Sequence, residues 1–460
     1  MSAESMALNR FGLGARPDEP LPGDPRRWLL AQFDAYEPLP AAFKPLPRTA
    51  QLAQDWAEQR LAQRRAQEQE RNALREAGQR AARQAYVAAA GARAASALHT
   101  PAPFMERLVH FWANHFAVSV DKQPVVGFAG AFEADAVRSN LLGRFEDMLV
   151  AAVRHPAMLL YLDQAASIGP DSPVGRRAAM RQGNNRRGLN ENLAREILEL
   201  HTLGVRSGYT QGDVTELARA LTGWTLPGEA AQQSEAGQGA PGAFRFAFDV
   251  HEPGPRTVLG RSYPDGGEQQ ARAILHDLAT APATARHIAT KLARHFVADD
   301  PPAALVQRLA DTFLATRGDL PSLYRELVTA PQAWVGIQGK FKSPWEWAVS
   351  SLRALGRRDV PAQQVLNLMN QLGQPVWRPA SPAGFGDTAA TWAAPDALLR
   401  RVETAQRLAA QAGATLDARA LAPRVLPGVL GERTRSAIAN AESPATALAL
   451  LLACPEFLRR

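Results

Sequence analysis

From residue 52 to about residue 98 the chain is rich in Ala, Gln, Arg and Glu and has almost no β-branched residues, so helix propensity stays high throughout. Such a stretch has to be a long helical arm or a helical hairpin, and Gly91 marks the expected break. Its large apolar residues are sparse (Leu52, Trp56, Leu61, Leu74), which leaves only a narrow stripe that lies across a body or projects from it. The remainder follows the same period. Helical patterns cover residues 25–33, 103–118, 129–140, 142–153, 190–204, 213–221, 267–279, 281–297, 303–316 and 320–329, then 344–355, 362–372, 395–412 and 444–453. The clear β signal is the alternating FRFAF at 244–248; with the turn HEPGP and residues 257–260 it predicts a small hairpin. The expected fold is therefore mainly α: a multi-helix globular bundle with a small β-hairpin insertion and a long Ala/Arg/Glu-rich helical arm.

A chain of 460 residues can hold two or three domains. The pattern divides into an N-terminal segment 1–51 packing on the body, the arm 52–100, a central helical domain 101–330 with the candidate site, and a C-terminal helical region 331–460 packed with it. Hydrophobic content of 46% with 21% charged residues belongs to a folded globular protein. The net charge of +7 is modest, and only five of the basic residues are Lys. Arg176, Arg177, Arg181, Arg186 and Arg187 cluster in a Gly/Asn-containing loop, too few contacts for the phosphate-dominated binding of nucleic acid. That loop reads as a solvated rim, and the Ala/Gly/Gln-rich residues 228–242 as a mobile loop. The single cysteine, Cys454, excludes an internal disulfide and a Cys-based zinc site. No apolar run approaches the roughly 20 residues of a membrane span. The opening MSAESMALNRFGLGARP lacks a charged-then-apolar signal architecture, so a cytoplasmic location is expected.

Polar chemistry concentrates in residues 190–224, NENLAREILELHTLGVRSGYTQGDVTELARALTGW. On a helical wheel Leu193, Ala194, Ile197, Leu198 and Leu200 form an apolar arc with His201 in its middle, as a hydrogen-bonded core histidine. Asn192, Glu196 and Glu199 fall on one line of the other arc, where two buried carboxylates would need a cation or a raised pKa. Glu191–Arg195 and Arg195–Glu199 have the spacing of surface pairs. Thr210 and Asp213 have capping-box spacing, which makes Asp213 a cap. In PFMERLVHFWANHFAV, at 103–118, His110 and Asn114 share the polar side and His115 the aromatic one. The two histidines point about 140° apart, which rules out an i,i+4 zinc pair. His251 is a titratable group in a loop, and Asp163 a carboxylate ahead of the Arg-rich stretch. There is no GxSxG elbow, phosphate loop, dinucleotide fingerprint or kinase set.

Several motifs resemble a bacterial family, domain of unknown function 1800: NRFGLGARPDE, RLVHFWANHF, YLDQ, the 190–224 segment, HEPGPRTVLG, KSPWEWAVSSLRALG, GQPVWRPASPAGFGDTAATW and the terminal ACPEFLRR. The likeness runs in order over nearly the whole chain. It implies a mainly helical protein, frequent export, and a partner from a neighbouring sulfatase-like family; no activity is carried over. This chain departs from the family at GFGD (384–387), where a Gly-Trp is usual, and at Gln164, where Asn is usual.

The leading expectation is an acid–base or metal-assisted enzyme, hydrolase-like, with a polar cleft between helices 103–118 and 190–204. Glu196, Glu199, His110 and His251 are its catalytic candidates, and Asn114, Asn192, Arg195 and Asp163 its substrate-binding ones. A divalent transition metal would take Glu196, Glu199, His110 and His251 as a mixed N/O set. The rivals are a non-catalytic helical scaffold or assembly partner, and anion or nucleic-acid binding through the Arg-rich loop.

Overall fold

The computed structural model describes residues 2–180, 188–227, 244–335, 340–412 and 416–460. The protein is mainly α, as the helical period dictates, with two short antiparallel ribbons. The Arg-rich stretch from 181 to 187 and the loop expected at 228–242 lie outside the described residues. Arg176 and Arg177 fall on a short helix, Pro173–Met180, rather than in a loop.

The arm is a hairpin of α1 (Thr49–Arg65) and α2 (Glu68–His99). Its break lies at Ala66 and Gln67, both extended, and not at Gly91. No Gly or Pro marks that turn. Instead the Arg71 side chain reaches back to the carbonyls of Gln63 (3.1 Å) and Ala66 (3.0 Å), which the helix end would leave unpaired. Gly91 lies inside α2, where an added Cβ would come within 2.8 Å of the Ala362 side chain, so its smallness lets helix Ala362–Gln371 pack close.

The FRFAF segment is not one arm of a hairpin with residues 257–260. β1 (Trp224–Thr225) pairs with β2 (Arg245–Phe246), and β3 (Arg256–Val258) pairs with β4 (Arg261–Tyr263). Gly223, at φ 88°, aims β1 at β2, and Phe248–Val250 closes into a 3-10 turn before the second ribbon.

Four further helical elements position the site. α3 (Pro103–His115) starts with Pro at its first position, and the Gln32 side chain accepts from the Phe104 N–H (2.8 Å). Nearly all of α3 is buried. α4 (Asn192–Glu196) runs on as a π-helical turn, Ile197–His201. α5 (Pro282–Phe296) buries Ala285, Ile288, Ala289, Leu292 and Phe296, a helical stripe. α6 (Pro344–Ala354) opens with a capping box between Ser343 and Glu346.

Two apolar cores form. One gathers α3, α5, Phe145–Arg154, Ala303–Ala315 and Leu320–Thr329. The other gathers α6, the inner end of α2, Pro395–Ala412 and Pro444–Ala453, with Leu8, Leu13 and Ala15 from the N-terminus.

Candidate functional site

Along the seam between the two cores lies a cavity of about 260 Å³, walled by α3 and α5 on one side and by the start of α6 and residues 374–388 on the other. This volume is just under that of pockets for drug-sized molecules and suits a smaller one. Its aromatic wall is Phe111, Trp345, Trp377 and Phe385, and its charged wall is Arg93, Arg107, Lys291, Arg294, Glu346 and Asp387. Four cations face two carboxylates. Counting their partners behind the wall adds Lys340 and Arg460 against Glu133 and Asp299, so the excess of two positive charges persists.

Each charge except that of Lys291 is held. Arg93 pairs with Glu133 (3.2 Å), its guanidinium 4.6 Å from the Trp345 ring and 5.4 Å from that of Trp377. Arg107 donates to the Asn9 and Gly12 carbonyls (3.2 and 2.6 Å) and to Glu346, which also receives Arg460 (2.9 Å). Burial alone would raise the Glu346 pKa; Arg107 and Arg460 override it and hold the carboxyl well below its usual range. Asp387 behaves likewise: burial is outweighed by His295, Lys340 and Arg460, and its pKa falls to about 2.

His295 donates Nδ1–H to Asp387 (2.8 Å), while its Nε2 is buried without a hydrogen-bond partner among the described residues. Burial keeps the ring below its usual pKa despite that carboxylate. One turn earlier on α5, Lys291 has no hydrogen bond or ion pair among the described residues. Burial pushes its ammonium down to about 8, with Arg294 acting the same way and Asp387 against it. One more turn back, His287 donates to the Leu200 carbonyl (3.0 Å). His287, Lys291 and His295 are spaced i, i+4, i+8, one stripe of α5. That spacing is legible in the sequence, although it falls outside the candidate residues named above; the Asp387 partner, 92 residues away, has no local signal.

Of the eight candidate catalytic and substrate-binding residues, His110 and Asn114 line this cavity, and the other six do not. His110 accepts at Nδ1 from the Trp345 indole (3.2 Å) and turns Nε2 toward Glu106 (3.4 Å), with burial lowering its pKa. Asn114 spends its amide on the backbone of Phe385, donating to the carbonyl (2.9 Å) and accepting from the N–H (2.8 Å). It therefore clamps the 374–388 loop. Gly384 makes this possible: at φ 79°, any Cβ there would run into the Asn114 carbonyl.

Glu191, Arg195 and Glu199 form a partly exposed ladder on α4 and its π turn, at 3.4 and 3.7 Å, with Asn192 exposed at its start. Glu196 is half-buried beside them, its pKa raised by burial and by Glu199. His251 donates to the Thr222 carbonyl (2.8 Å), and Asp163 pairs with Lys122 (2.6 Å). Among the described residues no group of three His, Cys, Asp or Glu side chains could hold a metal ion. Glu196, Glu199, His110 and His251 thus form no such group.

His115 and His201 are core residues, as the wheel indicates. His115 donates to the His201 carbonyl (3.1 Å). His201, expected to be hydrogen-bonded, has no partner for either ring nitrogen among the described residues; it packs on the Phe116 ring, 5.2 Å away. Asp213 is the expected cap and also accepts from the Leu259 N–H (2.6 Å). Behind the cavity, Arg138 binds Glu106 with both terminal nitrogens (2.6 and 2.8 Å) and Glu133 (3.0 Å), all out of contact with solvent.

No described helix is long and apolar enough to cross a membrane. No curated protein and no solved structure matches the chain. The model of one family, described as "Protein of unknown function (DUF1800)", matches residues 6–459. With its motifs in order and the match spanning nearly its whole length, the chain belongs to the DUF1800 family.

Proposed function

We propose that the seam cavity is the active site of an acid–base enzyme whose substrate is a small anion. The observation that carries this reading is the His295–Asp387 pair, a ring oriented by a carboxylate with its second nitrogen uncommitted, in a wall with excess positive charge. A neutral imidazole so held can take a proton from a bound molecule, while the neighbouring carboxylate stabilises the imidazolium that results. Arg294 and Lys291 draw in the anion, because neither is paired with a carboxylate among the described residues. This reading places the site in the seam cavity rather than beside Glu196 and Glu199, with His110 as a lining group. Thermal-shift titration with phosphate, malonate and pyruvate tests the binding half. A ligand at a hundred times its Kd stabilises by about 2.7 kcal/mol, a shift readily measured. Lys291→Met combined with Arg294→Gln should abolish the shift. His295→Gln should retain it while losing any turnover found by metabolite screening. No shift with any of the three anions, or one the double variant leaves intact, overturns the reading.

A second reading, a non-catalytic helical scaffold, is supported by the arm, whose helices stay largely exposed until Ala89. A cavity of about 720 Å³ opens between α1 and α2, but Asp55 is its one carboxylate and it holds no histidine. A scaffold of this kind would tolerate His295→Gln without functional loss.

A further inference from the structure

Lys291 is the unusual member of the cavity wall. The protein has five lysines, and a surface that uses Arg almost throughout. Lys122 is paired with Asp163, Lys340 with Asp299 and Asp387, and Lys342 donates to Ser350 (3.2 Å). Lys291 alone of these sits in the cavity wall, without a hydrogen bond or ion pair among the described residues. An arginine would serve as well as an anion anchor and could not be deprotonated; a lysine can become a nucleophile.

The groups acting on Lys291 come from every side. Arg294 on its own helix opposes its charge, and Asp387 across the cavity favours it. His115, His201 and His287 lie near enough to feel it, and burial leaves all three with depressed pKa values. No carboxylate touches the amine and its surroundings are mostly neutral or cationic, so it loses its proton more readily than an exposed lysine does.

Resting on the active-site reading above, we infer that Lys291 forms an imine with the carbonyl carbon of a small 2-oxo acid bound in the seam cavity. The substrate carboxylate is held by the Arg side chains that line the wall, and the carbonyl presents itself to Nζ. The free amine attacks, forming the C–N bond as the carbonyl π bond breaks, and His295 Nε2 relays a proton from that nitrogen to the carbonyl oxygen. The second nitrogen proton passes the same way to the hydroxyl as its C–O bond breaks, so one water is released and a neutral C=N bond remains. Nothing is oxidised or reduced in the step. The imine then withdraws electrons from the adjacent carbon, which is the use of such an adduct in proton abstraction or carbon–carbon cleavage.

The test is reductive trapping of the full chain with pyruvate and cyanoborohydride, read by intact mass and peptide mapping. At about pH 8 Lys291 would be roughly half neutral against under 1% for an exposed lysine, a preference on the order of a hundred-fold. A single adduct on the peptide carrying Lys291, growing as pH rises toward 8 and absent in Lys291→Arg, is the expected result. Adduct spread over the lysines according to exposure, or no adduct, overturns the inference. Lactate, which lacks the carbonyl, separates the two readings. If lactate and pyruvate both shift the melting temperature and nothing is trapped, the imine is wrong and the anion site stands. If no anion shifts it, both fall. Lys291→Arg should retain anion binding, which keeps a folding defect from being mistaken for lost chemistry.

Discussion

Arg138 and Lys291 are both cations inside the protein, and their removal should have opposite consequences. Arg138 neutralises Glu106 and Glu133, both of them buried. Arg138→Met strips Glu106 of its arginine and leaves Glu133 with Arg93 alone, and should cost about 3–5 kcal/mol in chemical denaturation. Lys291 has no partner to strand, and its amine is already disfavoured as a cation. Lys291→Met should therefore leave stability unchanged or raise it, since a desolvated ammonium is replaced by an apolar side chain of similar length. A Lys291→Met variant that unfolds as readily as Arg138→Met would show the lysine to be structural. The contrast also explains what was legible at this scale. His110 and Asn114 stand out in α3 because their residue types interrupt an aromatic helix. Asp387 and Glu133 carry no such mark, and their significance arises only from partners distant in the chain.

At the scale of elements, periodicity sufficed wherever a helix presents one apolar face to a core. Helices 282–296 and 320–329 are recognisable for that reason, and their stripes are the buried ones. It failed where one side chain decides the geometry. The arm turns at Ala66–Gln67 because Arg71 satisfies the helix end, which no turn-forming residue announces. FRFAF has the alternation of a strand, but alternation cannot name a partner, and Gly223 delivers Trp224–Thr225 to it. The loop 374–388 is the element on which the candidate site depends most. Asn114 and Gly384 fix it against α3. Gly384→Ala should displace Phe385 and Asp387 from the cavity, weakening anion binding by about ten-fold while costing at most 1–3 kcal/mol in stability, the range for a strained residue at positive φ. Fluorimetric titration beside a melting curve separates the two effects, and unaltered binding would contradict the clamp.

Across the whole molecule, the buried histidines, two buried lysines and three buried carboxylates all have lowered pKa values. His155 and His201 are held neutral with pKa values near 3 by burial, and His287 near 4. The unfolded chain protonates these rings below about 6.5 and the folded one does not, so each subtracts stability as pH falls from about 6.5 toward its folded value. Asp387, at about 2, and the depressed Glu106 and Glu346 add to the same loss at lower pH. At the alkaline side Lys291 and Lys342, lowered by burial to about 8 and about 7, also release protons on folding, so stability keeps rising above neutrality until near the ordinary lysine range. Melting temperature should thus climb steadily from about pH 4 to about pH 9; a flat profile between pH 4 and 6 would mean the histidines are hydrated in solution.

The seam itself has a mechanical consequence. α3 and α5 are anchored in one apolar core, α6 and the loop in the other, and the cavity is the gap where these bodies face each other across paired charges. Widening that gap exchanges ion pairs for water and leaves both greasy interiors intact. A molecule lodged there would act as a rivet, turning two halves that can breathe separately into one unit that melts together.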